Sequence, residues 1–167
     1  MIIAIGGCST SGKSALAAEM AENLKDKKVV VLCQDDFTFP TPQIPKINGH
    51  TNWEIPDSID FKKMRETIAK YGQTYDVVIA EGLMIYHDRL MNKLYDRKLF
   101  VEIDRDTFMK RKHFDFRWGK EPDWYIEHIW ESFLKYGQPP QDEDLIFIDG
   151  TKKFDVPAIL SRLGLNS

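Results

Sequence analysis

Gly7-Cys8-Ser9-Thr10-Ser11-Gly12-Lys13-Ser14 satisfies G-x-x-x-x-G-K-[ST] at every fixed position, and the chemistry of that pattern is polyphosphate binding. Two glycines let the backbone turn tightly enough for successive N–H groups to face one set of oxygens. A helix opening through Lys13, Ser14 and Ala15 adds the positive end of its dipole. Lys13 can reach the outer phosphates, and the Ser14 hydroxyl is a hard oxygen donor for Mg²⁺. Residues 7–15 are therefore the candidate nucleotide-binding set, with ATP and Mg²⁺ as the implied cofactors. A glycine-serine turn with a solvated lysine is the bland alternative. The loop alone does not separate a kinase from a GTPase or a motor ATPase, although the chain has no N-K-x-D sequence for guanine recognition.

Carboxylates follow two further apolar runs. Gln34-Asp35-Asp36 comes directly after Val29-Val30-Val31-Leu32-Cys33, which puts acids at a strand's carboxyl end, where open α/β sheets bind ligands. A phosphoryl acceptor needs a carboxylate to orient its hydroxyl and take the proton. Asp35 is the first candidate for that role and Asp36 the second; an aspartate capping a turn is the competing role. Glu81-Gly82 ends the run Val77-Val78-Ile79-Ala80 in the same way. Glu81 would hold Mg²⁺ with Ser14, and Asp35 is a third oxygen donor toward the cation. A helix-capping or solvated Glu81 is the alternative.

The elements that must position these groups follow from periodicity. Short apolar runs at 2–5, 29–33, 77–80, 99–103 and 145–148 read as strands covered on both faces. Helical spacing appears at 13–24, 60–70, 106–116, 124–136 and 156–163. Strand and helix alternate, so the expected fold is a three-layer α/β sandwich around a parallel sheet. The Pro-, Asn- and Gly-rich stretch 40–56 has no period and is long for a connection, as binding loops are. At 167 residues and 43% hydrophobic content, one core and one domain are expected.

A net charge of -3 gives no basic field for nucleic acid. Cys8 and Cys33 lack metal-ligand spacing and read as reduced thiols. The apolar start at 1–5 lacks a basic segment and is cut short by glycines, unlike a secretory signal. No apolar run approaches the roughly 20 residues of a membrane span. A cytoplasmic protein with a small-molecule partner and no membrane or nucleic-acid partner is expected.

These motifs, in this order, resemble the uridine kinase and nicotinamide riboside kinase group of phosphate-loop nucleoside kinases, and most closely nicotinamide riboside kinase. The likeness spans nearly the whole chain. It is carried by 7–14, Gln34-Asp35-Asp36-Phe37, Asn52-Trp53-Glu54-Ile55-Pro56-Asp57-Ser58-Ile59-Asp60, Glu81-Gly82, His128-Ile129-Trp130 with Leu134-Lys135-Tyr136, and Asp149-Gly150-Thr151-Lys152. The resemblance implies a five-stranded parallel sheet in the order 2-3-1-4-5. It also implies a substrate-binding loop at about 36–60 and a lid at about 106–123.

By the same resemblance, Asp35 is the base at the 5′-hydroxyl and Glu54 the carboxylate that clasps the ribose 2′- and 3′-hydroxyls. Trp53 is the aromatic that stacks on the substrate base. Lys110-Arg111-Lys112 and Arg117 resemble a basic lid: Arg111 and Arg117 would bind phosphate, with Arg111 catalytic, and Lys112 would face the substrate. Thr151 and Lys152 would lie near adenine. Two departures stand out. Lys112 occupies a position where nicotinamide riboside kinases tend to carry arginine, and His113-Phe114-Asp115-Phe116 makes the lid poor in cations. The link 71–75 is too short for the hairpin with which uridine kinases read uracil.

The activity so implied is transfer of the ATP γ-phosphoryl to a ribonucleoside 5′-hydroxyl, with nicotinamide riboside the favoured acceptor. Uridine, cytidine or another hydroxylated metabolite such as pantothenate is the runner-up. An ATP-binding regulator that transfers nothing is the reading from a different class.

Overall fold

The computed structural model describes residues 1–141 and 144–165. Its central sheet is built from β1 (Ile2–Gly7), β2 (Val29–Cys33), β5 (Val77–Gly82), β6 (Arg97–Glu102) and β7 (Leu145–Asp149). All pair in parallel in the order β2-β5-β1-β6-β7. Taken in chain order these five strands lie 2-3-1-4-5, as expected. A two-residue hairpin, β3 (Lys46–Ile47) and β4 (His50–Thr51), stands apart within the 36–60 loop. Asn48 and Gly49 turn it with φ of 48° and 81°, the asparagine-glycine chemistry of a tight hairpin. Strands this short leave no periodicity to read.

The helices are α1 (Lys13–Asn23), α2 (Phe61–Tyr71), α3 (Arg89–Asn92), α4 (Arg105–His113), α5 (Asp123–Tyr136) and α6 (Val156–Arg162). Alternation along the strands sorts their side chains into two cores. Ile3 and Ile5 face Leu16, Met20, Ile159 and Leu163 of α1, α6 and the chain beyond them. Ala4 and Phe100 face Met64 and Ile68 of α2, Phe108 of α4, and Ile129 and Phe133 of α5. The sheet is thus the middle of three layers. The inner strands are buried as expected, but the edge strands are only half covered: Val31 of β2 and Phe147 of β7 are exposed. Each lacks a neighbour on one side.

Aspartates begin four of these helices. Asp60, Asp88, Asp104 and Asp155 accept from the N–H of Lys63, Met91, Thr107 and Ala158, each satisfying a donor that the helix cannot pair itself. The Asp104 cap starts α4 at Arg105, and the helix ends at His113 rather than near 116, leaving 114–122 as an irregular segment. Among the described residues no helix is long and apolar enough to cross a membrane.

The ends of β2 and β5 are locked together by a close approach at Gly82. A Cβ there would lie 2.4 Å from Gln34 Cβ, while Gln34 Oε1 accepts from Met84 N–H at 3.0 Å. Gly82→Ala should therefore destabilise the protein by about 1–3 kcal/mol, the usual cost of overpacking, measurable as a lower urea midpoint at unchanged m-value.

Candidate active site

β1 ends at Gly7 and α1 begins at Lys13, so the chain must reverse over the sheet's carboxyl edge. Positive φ at Thr10 (61°) and Gly12 (101°) make the turn. Gly12 is the N-cap of α1 and offers no side-chain acceptor, so the first N–H donors of this helix remain free for an anion. The buried hydroxyls Thr10 Oγ1 and Ser11 Oγ have no partner in the protein, which is costly unless a ligand or water meets them. Lys13 Nζ rests on the Cys8 carbonyl at 3.4 Å. A polyphosphate fits this donor set.

Ser14 Oγ donates to Glu81 Oε1 at 2.9 Å, although 67 residues separate them in sequence. Glu81 is buried, and its strand position pairs with Cys33 of β2, which brings Asp35 to the same edge. Desolvation raises the Asp35 carboxyl above its usual range; Lys13 opposes the shift, and Glu81 and Asp36 add to it. Burial, then Glu81 and Asp35, push the Cys33 thiol up to about 12, so it stays neutral beside these oxygens. Among the described residues no three or more His, Cys, Asp and Glu gather as a metal cluster. Mg²⁺ does not require one: it takes one or two carboxylates and completes its shell with phosphate and water. Ser14 and Glu81 fit that pattern.

From this edge a cleft of about 860 Å³ runs to the 36–60 loop, lined by Lys13, Ser14, Asp35 and Glu81 toward one end and by His50, Trp53, Glu54 and Tyr125 toward the other. That is the size of an ordinary small-molecule site. Trp53 keeps 39% of its surface exposed, much for an indole that only caps a core. Tyr125 Oη accepts from Trp53 N–H and donates to the Thr51 carbonyl, both at 3.3 Å. Burial raises the Glu54 carboxyl to about 7; Asp35 and Glu121 add to the shift and Lys112 opposes it.

The cations expected to form a lid are already paired. Lys112 is buried, with Nζ 2.6 Å from Glu121 and 3.5 Å from Asp115. Arg117 grips Asp115 with Nε and Nη2, both at 2.7 Å, holding that carboxyl well below the usual range. Both Lys112 and Arg117 line the cleft. Arg111 does not. Its guanidinium donates to the Thr10 carbonyl at 3.0 Å and the Gly150 carbonyl at 2.9 Å, bracing the phosphate loop from outside.

Other expected residues also lie off the cleft wall. Asp36 does not line the cleft although Asp35 does, because Gln34–Phe37 is one 3₁₀ turn, whose successive side chains point about 120° apart. Thr151 caps Asp149 through its N–H and hydroxyl. Lys152 pairs with Asp149 at 2.8 Å and lines a separate hollow of about 260 Å³. Gly7, Cys8 and Ser11 form the back of the loop; Ser9, Thr10, Gly12 and Ala15 line the cleft. Sequence reasoning missed Trp118, Tyr125 and Glu121, which also line it. Trp118 adjoins Arg117 in the lid, and that adjacency was the available signal.

No family model matches the chain. It is 25% identical to nicotinamide riboside kinase 1 of Homo sapiens, an alignment that covers 90% of this chain and 84% of that protein. It is 26% identical to uridine kinase-like protein 3 of Arabidopsis thaliana, over 99% of this chain but only 40% of the relative. Among solved structures, a sugar kinase from Janibacter sp. HTCC2649 superposes with a TM-score of 0.64 at 16% identity, covering 98% of this chain and 94% of that one. The curated relatives are kinases, which are phosphotransferases acting on a hydroxyl group. The structural neighbour shares the fold.

The folded protein holds the Glu54 proton up to about pH 7, whereas the unfolded chain releases it near 4.5. Between these values the folded state binds more protons, so stability falls as pH rises through that window. Glu54→Gln should accordingly raise Tm at pH 8 and leave it nearly unchanged at pH 4. A wild-type Glu54 carboxyl resonance titrating near 4.5 would contradict the shift.

Proposed function

We propose that this chain is an ATP-dependent nucleoside kinase that transfers the γ-phosphoryl of Mg·ATP to the 5′-hydroxyl of a ribonucleoside, with nicotinamide riboside the favoured acceptor. The observation that carries this reading is that a phosphate-binding loop, a strand-end carboxylate and the Trp53-Glu54 pair all line one cleft. Similarity to kinases named for nicotinamide riboside and for uridine supports the reaction class.

Mg²⁺ bound with the nucleotide supplies charge neutralisation on the outer phosphates. Ser14 and Glu81 hold the cation, with Asp35 able to contribute an oxygen. Lys13 leaves the Cys8 carbonyl to offset charge on the transferring phosphoryl. Asp35 orients the 5′-hydroxyl and takes its proton as the new P–O bond forms; a raised carboxyl is the better base. Glu54, once ionised, accepts from both ribose hydroxyls, and Trp53 offers its face to the base. An indole among carboxylates suits a cationic pyridinium ring better than a neutral one. Only residues 72–76 separate α2 from β5, which leaves no hairpin there for reading uracil. Arg117 and Lys112 act when the lid closes, Arg111 holds the loop's shape, and Thr151 with Lys152 borders the adenine. Most of the acceleration is positioning and electrostatics.

A second reading, an ATP-binding regulator, is favoured by the pairing of Lys112 and Arg117 with acids of their own lid. Acceptor-dependent ADP release measured over a panel of nucleosides separates the two, and competition between nicotinamide riboside and uridine ranks the acceptors. Lys13→Ala should lower turnover by about 10³-fold and Asp35→Ala by about 10²–10⁴-fold. Trp53→Ala should mainly raise KM for the nucleoside, by about tenfold. Wild-type kcat in Asp35→Ala would remove the base assignment.

A further inference from the structure

The motif His128-Ile129-Trp130 has no role in the chemistry above, yet each residue has its own surroundings. Ile129 lines the cleft. Trp130 packs on Phe108 of α4 with ring centroids 5.2 Å apart and on Phe133 at 5.3 Å, which seats α5 in the core. His128 turns to the acceptor loop, with Nε2 2.8 Å from Asn52 Oδ1.

We propose that His128 is a positioning residue for the acceptor end of the cleft: through Asn52 it holds the main chain on which Trp53 and Glu54 stand. Asn52 is 8% exposed, and its Oδ1 also accepts from Glu54 N–H at 3.3 Å. Two donors thus converge on one oxygen, which assigns the hydrogen to His128 Nε2. Burial lowers the His128 pKa and favours the neutral ring; protonation would keep the same Nε2–H, so the bond does not depend on the ring's charge. Tyr125 lies one helical turn earlier on α5 and holds Thr51 and Trp53. Residues at i and i+3 share a helix face, so one rigid element fixes the chain on both sides of the two residues that meet the nucleoside. A site carried on a loop gains precision from such backing.

The nucleoside part of this role rests on the kinase reading; the contact itself does not, and two measurements keep them apart. In the free protein, amide hydrogen exchange across residues 51–55 should quicken roughly tenfold in His128→Ala, as expected for loss of one buried hydrogen bond. It should return to the wild-type rate in His128→Gln, whose amide N–H can replace Nε2–H. Unchanged exchange in His128→Ala, or no recovery in His128→Gln, overturns the proposal. In steady state, His128→Ala should raise KM for nicotinamide riboside roughly tenfold while kcat and KM for ATP stay within about threefold. His128→Gln should restore KM, and Asn52→Ala combined with His128→Ala should cost less than the sum of the two single changes. Equal rises in both KM values would reduce His128 to a general structural residue and overturn the proposal. A wild-type protein without acceptor-dependent turnover sinks the kinase reading, and the exchange measurement then still decides whether His128 holds the loop.

Discussion

The start of α1 leaves main-chain donors unmet at the wall of the cleft. A helix N-terminus concentrates partial positive charge and four N–H groups that the helix cannot satisfy. At α2, α3, α4 and α6 aspartates take up that demand. At Gly12 nothing does, and the neighbouring hydroxyls of Thr10 and Ser11 are buried without partners as well. The surrounding structure keeps this expensive arrangement from collapsing: Arg111 grips the loop carbonyl from outside, and Gly150 packs so closely that a Cβ there would lie 2.6 Å from the Ser11 carbonyl.

Opposite this positive end the cleft mixes charges: the carboxylates of Asp35, Glu54, Glu81 and Glu121 share it with Lys13, Lys112, Arg117 and Lys120. Burial is the first reason that Asp35 and Glu54 both shift upward, and neighbouring carboxylates add to it. Lys112 and Arg117 in turn are held by Asp115 and Glu121.

The core and the 36–60 loop are joined by α5, whose buried face packs on the sheet while Tyr125 and His128 reach out to the 46–54 segment. A loop containing a two-residue hairpin has little stability of its own. Its geometry is borrowed from the helix behind it.

Local chemistry is legible in the chain itself. The phosphate loop could be placed because glycine, lysine and serine act on their immediate neighbours, and alternating strands and helices implied a layered α/β sandwich; the strand order came from the family resemblance. Asp35 and Glu81 were visible as acids ending apolar runs. Pairings between distant segments were not visible: Ser14 with Glu81, Lys112 with Glu121, Arg111 with the Thr10 and Gly150 carbonyls. Neither was it evident that Asp36 would turn away while Trp118 and Tyr125 turned in. Residue type and spacing along one element set the backbone, since those interactions act within a few residues. Which side chains meet across the cleft is set by how the layers pack, and the periodicity of a single segment carries no record of its neighbours in space.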